Sequence, residues 1–125
     1  MLRTEQGGTS GKRILIADDE PGVRDALRLL LKLDGHTVSE ACDGQEALAL
    51  FVAGRFDLII TDYVMPGLRG DELATEIKRR APAQPILMIT AHLDLMHLAE
   101  NPVDGVLGKP FAIADLRRAI VQLLG

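Results

Sequence analysis

Apolar positions along the chain follow two alternating patterns. Compact apolar runs occupy Arg13 to Ala17, Asp57 to Thr61 and Pro85 to Ile89, with two more mixed stretches at His36 to Glu40 and Asp104 to Leu107. Runs such as Leu58-Ile59-Ile60 and Ile86-Leu87-Met88-Ile89 predict strands covered on both faces, because a strand with one wet face alternates with polar residues. Between the runs, apolar residues recur at helical spacing. Val23, Ala26, Leu27, Leu30 and Leu31 mark a first helix, Ala47, Leu48 and Phe51 a second, Leu73, Ala74 and Ile77 a third, and Ile113, Leu116, Ile120 and Leu123 the last. Pro21 suits the first turn of the first helix and Asp34-Gly35 its close. The helix after the fourth strand fits only between Leu93 and Glu100, before Asn101-Pro102 stops it, so it is expected to be short.

Strands alternating with helices argue for parallel pairing through crossover helices. Five such units with right-handed crossovers predict an α/β fold, an open doubly wound five-stranded parallel sheet with helices on both faces. Residues 1–11 include Gly7, Gly8, Thr9, Ser10 and Gly11 and almost nothing apolar, so they are expected to form a flexible head, with one domain over residues 12–125. The chain's 125 residues suffice for a single core. No internal repeat is evident.

Charge and cysteine usage narrow the function classes. A net charge of -4 without a basic stripe argues against direct nucleic-acid binding. Cys42 is the single cysteine, so no intramolecular disulfide can form, and it reads as a small packing residue rather than a nucleophile because no basic partner is evident. The first apolar run is cut short by Asp18, Asp19 and Glu20, which fits neither a signal peptide nor a membrane span, so the cytoplasm is the expected compartment.

Open α/β sheets hold their sites beyond the carboxyl ends of the strands. There the sequence puts Asp18-Asp19 after the first strand, Asp62 after the third, Thr90 after the fourth and Lys109-Pro110 after the fifth. Each alone has a plainer reading, as a helix cap, a turn residue or a solvated charge. Independent caps would rarely gather at one edge of one sheet, and that convergence gives the set its weight. Carboxylates about 4 Å apart repel by roughly 4 kcal/mol at an effective dielectric of 20. Lys109 offsets part of this, and a hard divalent cation such as Mg²⁺, which takes carboxylates together with waters and phosphate, matches the rest. A carboxylate flanked by a metal and an ammonium is a competent phosphoryl acceptor, and Thr90 offers a hydroxyl to a phosphoryl oxygen.

With these residues in place the chain closely resembles the receiver domains of bacterial response regulators from Lys12 to Leu124. The stretch Ile14 to Glu20 (ILIADDE) is similar to the family's first strand and acidic pair, Asp57 to Gly70 (DLIITDYVMPGLRG) to its acceptor segment, Ile89-Thr90-Ala91 to its switch strand, and Lys109-Pro110-Phe111 to its lysine motif. The resemblance implies a flavodoxin-like sheet ordered 2-1-3-4-5. It implies a two-component phosphorelay role in which Asp62 takes a phosphoryl group from a phosphohistidine of a sensor histidine kinase or histidine phosphotransfer protein. It further implies Mg²⁺ (or Mn²⁺) held by Asp19 and Asp62 directly, by Asp18 through a water and by the backbone carbonyl of Val64. Lys109 would contact the phosphoryl group, the Lys109-Pro110 bond is expected to be cis, and Met65-Pro66-Gly67 with Gly70 would form the tight loop into the third helix. Such a domain is not an enzyme toward diffusible substrates and catalyses only its own phosphorylation and dephosphorylation.

Two departures bear on the readout. Val106 stands where the family commonly has an aromatic switch residue, so the usual threonine-to-aromatic coupling does not apply as written. The stretch between Thr90 and Lys109 is short at the fourth helix, part of the family's common output face, which leaves homo-oligomerisation through it open. Val64 and His92 occupy positions that in the resembled family influence water access to the acyl phosphate; His92 otherwise reads as a solvent-facing loop histidine. Two rival readings stand beside the switch. A metal-dependent phosphohydrolase would need a second carboxylate where Val64 sits and a cap over its substrate. A docking module that keeps only the fold would leave the acidic set without a purpose.

Overall fold

A computed structural model describes residues 11–93 and 102–124. Five strands, β1 (Arg13–Ala17), β2 (Thr37–Ala41), β3 (Leu58–Thr61), β4 (Ile86–Thr90) and β5 (Gly105–Gly108), form one sheet ordered β2-β1-β3-β4-β5. Every pairing is parallel. Among the described residues there are four helices, α1 (Pro21–Leu33), α2 (Gly44–Ala53), α3 (Gly70–Arg80) and α4 (Ile113–Leu124). The doubly wound, flavodoxin-like sheet expected from the hydrophobic pattern and the family resemblance is therefore present. The short helix expected over Leu93 to Glu100 lies, after Leu93, outside the described residues, as does nearly all of the expected flexible head.

The central strands β1, β3 and β4 are apolar at all but one terminal position each, because they are covered twice. Ile14, Ile16, Leu58, Ile60, Leu87 and Ile89 face one layer built from Leu27 and Leu31 of α1 and Leu116 and Ile120 of α4. The alternate residues Leu15, Ala17, Ile59 and Ile86 face Ala47 of α2 and Leu73, Ala74 and Ile77 of α3. β2 lies at the sheet's edge, and of its residues only Ala41 is buried.

Helix ends follow the local chemistry. Pro21 begins α1 with Glu20 extended before it, the backbone that a residue preceding proline prefers. Gly35, at φ +88, ends the same helix in the left-handed region, while the His36 N–H returns to the Leu31 carbonyl. Asp43 caps α2 by accepting from the Glu46 N–H.

Three strands begin one residue later than the pattern predicts and extend one residue further. His36, Pro85 and Asp104 are spent on entry instead: His36 closes α1, Pro85 has no N–H to give, and the Asp104 carboxylate accepts from the Ile86 N–H. As a result Thr90 is the last residue of β4, paired with Gly108, rather than the first residue after it. Gly11, assigned to the flexible head, already bonds the Gly35 carbonyl through its N–H.

Candidate functional site at the carboxyl edge of the sheet

The parallel register continues one residue beyond the strands. The Asp62 N–H donates to the Ala17 carbonyl, the Asp18 N–H to the Ala41 carbonyl and the Lys109 N–H to the Thr90 carbonyl. These bonds bring Asp18, Asp62 and Lys109 to one edge although they lie far apart in the chain. Asp18 is 2% exposed, Asp62 7% and Thr90 0%.

Lys109 is the hub. Its ammonium donates to Asp18 Oδ2 at 2.9 Å and to Asp62 Oδ2 at 3.0 Å, and Glu20 Oε1 lies at 3.4 Å. The other oxygens of the two aspartates are also engaged: Asp18 Oδ1 accepts from the Glu20 N–H at 2.9 Å, and Asp62 Oδ1 from the Tyr63 N–H at 2.7 Å. The Thr90 hydroxyl accepts from the backbone N–H of His92, whose imidazole sits on an exposed turn.

Burial pushes the Asp62 carboxyl above the ordinary carboxylate range, and the neighbouring Asp18 charge adds to this, against the hydrogen bond and charge of Lys109. Burial also disfavours the Lys109 ammonium, but bonds and charges from both aspartates outweigh it and hold its pKa at about 12. The pairing favours the charged form of both partners, and only on the lysine does it overcome burial.

Among the described residues, carboxylate oxygens of Asp18, Glu20 and Asp62 lie within 4.8 Å of one another. Three hard oxygen donors around one buried edge, with one ammonium facing them, fit a hard divalent cation. The family resemblance implies Asp19 in this group and does not single out Glu20. Asp19 is exposed and is not one of the three. The signal for Glu20 was available: it ends an acidic run directly before a proline, so its backbone is held extended at the mouth of the site.

The segment after Asp62 is anchored from below. Met65 is buried between α2 and α3, the Thr61 hydroxyl donates to the Asp62 carbonyl, and Gly67 turns the chain at φ +77. A Cβ on Gly70 would lie 1.9 Å from the Asp62 carbonyl oxygen, so only glycine lets α3 start this close to the site. Val64 is exposed at the rim, Val106 is half-buried on β5 beside Met88, and the Lys109-Pro110 bond is cis, with Pro110 exposed. Cys42 is exposed, and Glu46 and Asp43 push its thiol up, the opposite of what a nucleophile requires.

Comparison with known proteins agrees with this geometry. The sequence matches the response regulator receiver domain family over residues 14–121. It is 34% identical over 113 residues to the transcriptional regulatory protein TcrA of Mycobacterium tuberculosis, covering 88% of this chain and 45% of that protein. It is 36% identical over 115 residues to the response regulator MprA of Mycolicibacterium vanbaalenii, covering 90% of this chain and 50% of that one. The chain thus spans about half the length of these relatives. Among solved structures, the response regulator TrrA of Thermotoga maritima, determined in complex with Mg²⁺-BeF, superposes with a TM-score of 0.85 at 36% identity, covering 90% of this chain and 99% of that one. A CheY-like receiver domain protein from Methanospirillum hungatei gives 0.86 at 29% identity, covering 92% and 94%. By sequence, by topology and by the residues assembled at its carboxyl edge, this chain belongs to the response regulator receiver domain family of two-component systems.

Proposed function

We propose that this domain accepts a phosphoryl group on Asp62 from a phosphohistidine of a sensor histidine kinase or histidine phosphotransfer protein and thereby switches or relays a signal. The observation that carries the reading is the Lys109 ammonium bridging Asp62 and Asp18 at 3.0 and 2.9 Å in a buried acidic cluster. In the transfer, an Asp62 carboxylate oxygen attacks phosphorus, a P–O bond forms as the P–N bond breaks, and the electron pair leaves with the imidazole. Lys109 neutralises charge on the phosphoryl oxygens, exchanging a carboxylate partner for them. The Thr90 hydroxyl, already held at this edge, donates to a phosphoryl oxygen.

Asp18, Asp19, Asp62 and the Val64 carbonyl, with Glu20 beside them, would hold Mg²⁺ (or Mn²⁺). When bound, that ion supplies positive charge to the phosphoryl oxygens and offsets the repulsion among the carboxylates. The domain acts as an enzyme only on itself, and its place of action is the cytoplasm, where such kinases present their phosphohistidines. Among the described residues no helix is long and apolar enough to cross a membrane.

The test is to incubate the chain with Mg²⁺ and acetyl phosphate and measure intact mass for the wild type and Asp62→Asn. A single phosphoryl adduct on the wild type alone is expected. No adduct, together with amide spectra unmoved by Mg²⁺ and beryllofluoride, would sink the acceptor role. Sustained phosphate release from ordinary phosphomonoesters would point to a hydrolase instead.

A further inference from the structure

Arg24, in the first turns of α1, has a largely buried side chain and no part in the chemistry above, yet it reaches the site through the backbone. Its Nη1 donates to the backbone carbonyl of Asp18 at 2.5 Å, and its Nε lies 3.6 Å from Glu40 Oε1 on β2. Glu40 is held in turn, because its second oxygen accepts from Arg28 Nη1 at 2.9 Å, and Arg28 also pairs with Asp25 at 2.9 Å. A chain of charged side chains therefore runs from α1 and β2 to one carbonyl at the mouth of the site.

That carbonyl is well chosen. The Asp18 N–H is bonded to Ala41, its Oδ1 to the Glu20 N–H and its Oδ2 to Lys109, so the carbonyl is the one remaining polar group of the residue, and Arg24 engages it. The Asp18 carbonyl and the Asp19 N–H share one planar peptide unit. Fixing the carbonyl fixes the direction in which the chain enters Asp19 and Glu20, and with it where their carboxylates emerge.

We propose that Arg24, seated on Glu40, is a positioning residue of the metal centre: it orients the Asp18-Asp19 peptide so that the acidic residues present their oxygens to the cation. The proposal rests on the metal reading given under Proposed function. Its sign separates it from simple electrostatics. A guanidinium this close to a dication site opposes metal binding by Coulomb's law, so neutralising a bystander would tighten Mg²⁺. Removing a positioning group weakens it.

The experiment titrates Mg²⁺ into the full chain, following the amide signals of Asp62 and Tyr63, for the wild type, Arg24→Gln, Arg24→Lys and Glu40→Gln, with urea unfolding of each. Arg24→Gln is expected to weaken Mg²⁺ by about tenfold, the lower end for groups that orient metal ligands. Arg24→Lys keeps the charge but not the planar fork that serves carbonyl and carboxylate together, and is expected to weaken Mg²⁺ as well. Glu40→Gln, which only loosens the seat of Arg24, is expected to weaken it less. Unchanged or tighter binding in Arg24→Gln, or a lowered urea midpoint with wild-type affinity, overturns the proposal. If Arg24→Gln fails to fold, wild-type affinity in Arg24→Lys overturns it. A wild type whose Asp62 and Tyr63 signals ignore Mg²⁺ would remove the metal reading itself, whereas wild-type binding with unaffected variants removes only the role of Arg24.

Discussion

Lys109 faces three carboxylates, and two of them are nearly sealed from water, so the ammonium is what makes their burial tolerable. Removing one partner of a buried pair leaves an uncompensated charge. Lys109→Met is therefore expected to cost about 3 kcal/mol of stability in metal-free buffer at neutral pH, with added Mg²⁺ restoring part of the loss, as read by urea unfolding. Among the described residues His36 is the other buried titratable side chain, 6% exposed, with Nδ1 accepting from the Lys12 N–H at 3.3 Å. Burial lowers its pKa, and Lys12 adds to this against Asp34 and Asp57. The unfolded chain then binds a proton that the folded chain refuses, so stability falls as pH drops through the ordinary histidine value of 6.5 toward the lowered one. Urea midpoints of the wild type should drop more steeply over that interval than those of His36→Gln; parallel curves would show that His36 does not contribute. Asp18, Asp62, Thr90 and Lys109 were all legible as candidates, because polar residues stood where strands end. Arg24 was not, since nothing in its spacing distinguishes it from the ordinary charged residues of a helix start.

At the scale of elements, two glycines govern how closely the helices approach the site. A Cβ on Gly44, at the start of α2, would lie 2.3 Å from the Leu68 carbonyl, and one on Gly70, at the start of α3, 1.9 Å from the Asp62 carbonyl. The blocking atoms are backbone, which cannot swing aside. Gly70→Ala is expected to cost about 3 kcal/mol or more and to weaken Mg²⁺ as well, since the displaced segment carries Asp62; calorimetric melting with a parallel Mg²⁺ titration checks both. A second device sits at the opposite edge of the sheet. Lys78 of α3 donates to Asp104 Oδ2 at 2.7 Å and to the Gln84 carbonyl at 2.7 Å, while the same Asp104 oxygen accepts from the Ile86 N–H at 2.8 Å. Asp104→Ala strands a backbone donor and loosens α3, β4 and β5 together, with an expected loss of about 1 to 2 kcal/mol in urea unfolding. The later start of β5 involves the same aspartate, whereas β2 is displaced by His36 closing α1 and β4 by Pro85, which has no N–H to give. Periodicity marks which residues are apolar, but where the backbone groups at a strand's entry are spent decides where a ladder opens.

For the whole molecule, Lys109 ties together Asp18 and Asp62, 91 and 47 positions away from it in the chain, and the proposed cation would be held by the same carboxylates, so its binding should register as global stability. At ten times its Kd, Mg²⁺ is expected to add about 1.4 kcal/mol and to raise the melting temperature by several degrees, a gain that Asp62→Asn should largely lose. The doubly wound architecture was readable from the chain alone, because strands covered on both faces must be apolar throughout and crossover helices must carry one apolar stripe. Asp18-Asp19, Asp62, Thr90 and Lys109 were readable for a related reason, since this topology brings every strand's carboxyl end to one edge. What only the tertiary structure decided is how those groups divide their bonds. It set Lys109 on Asp18 and Asp62, placed Glu20 rather than Asp19 among the clustered carboxylates, and laid Arg24 against the Asp18 carbonyl. These are contacts between segments remote in sequence, fixed by parallel register and helix packing, and no local pattern of hydrophobic and polar residues encodes them.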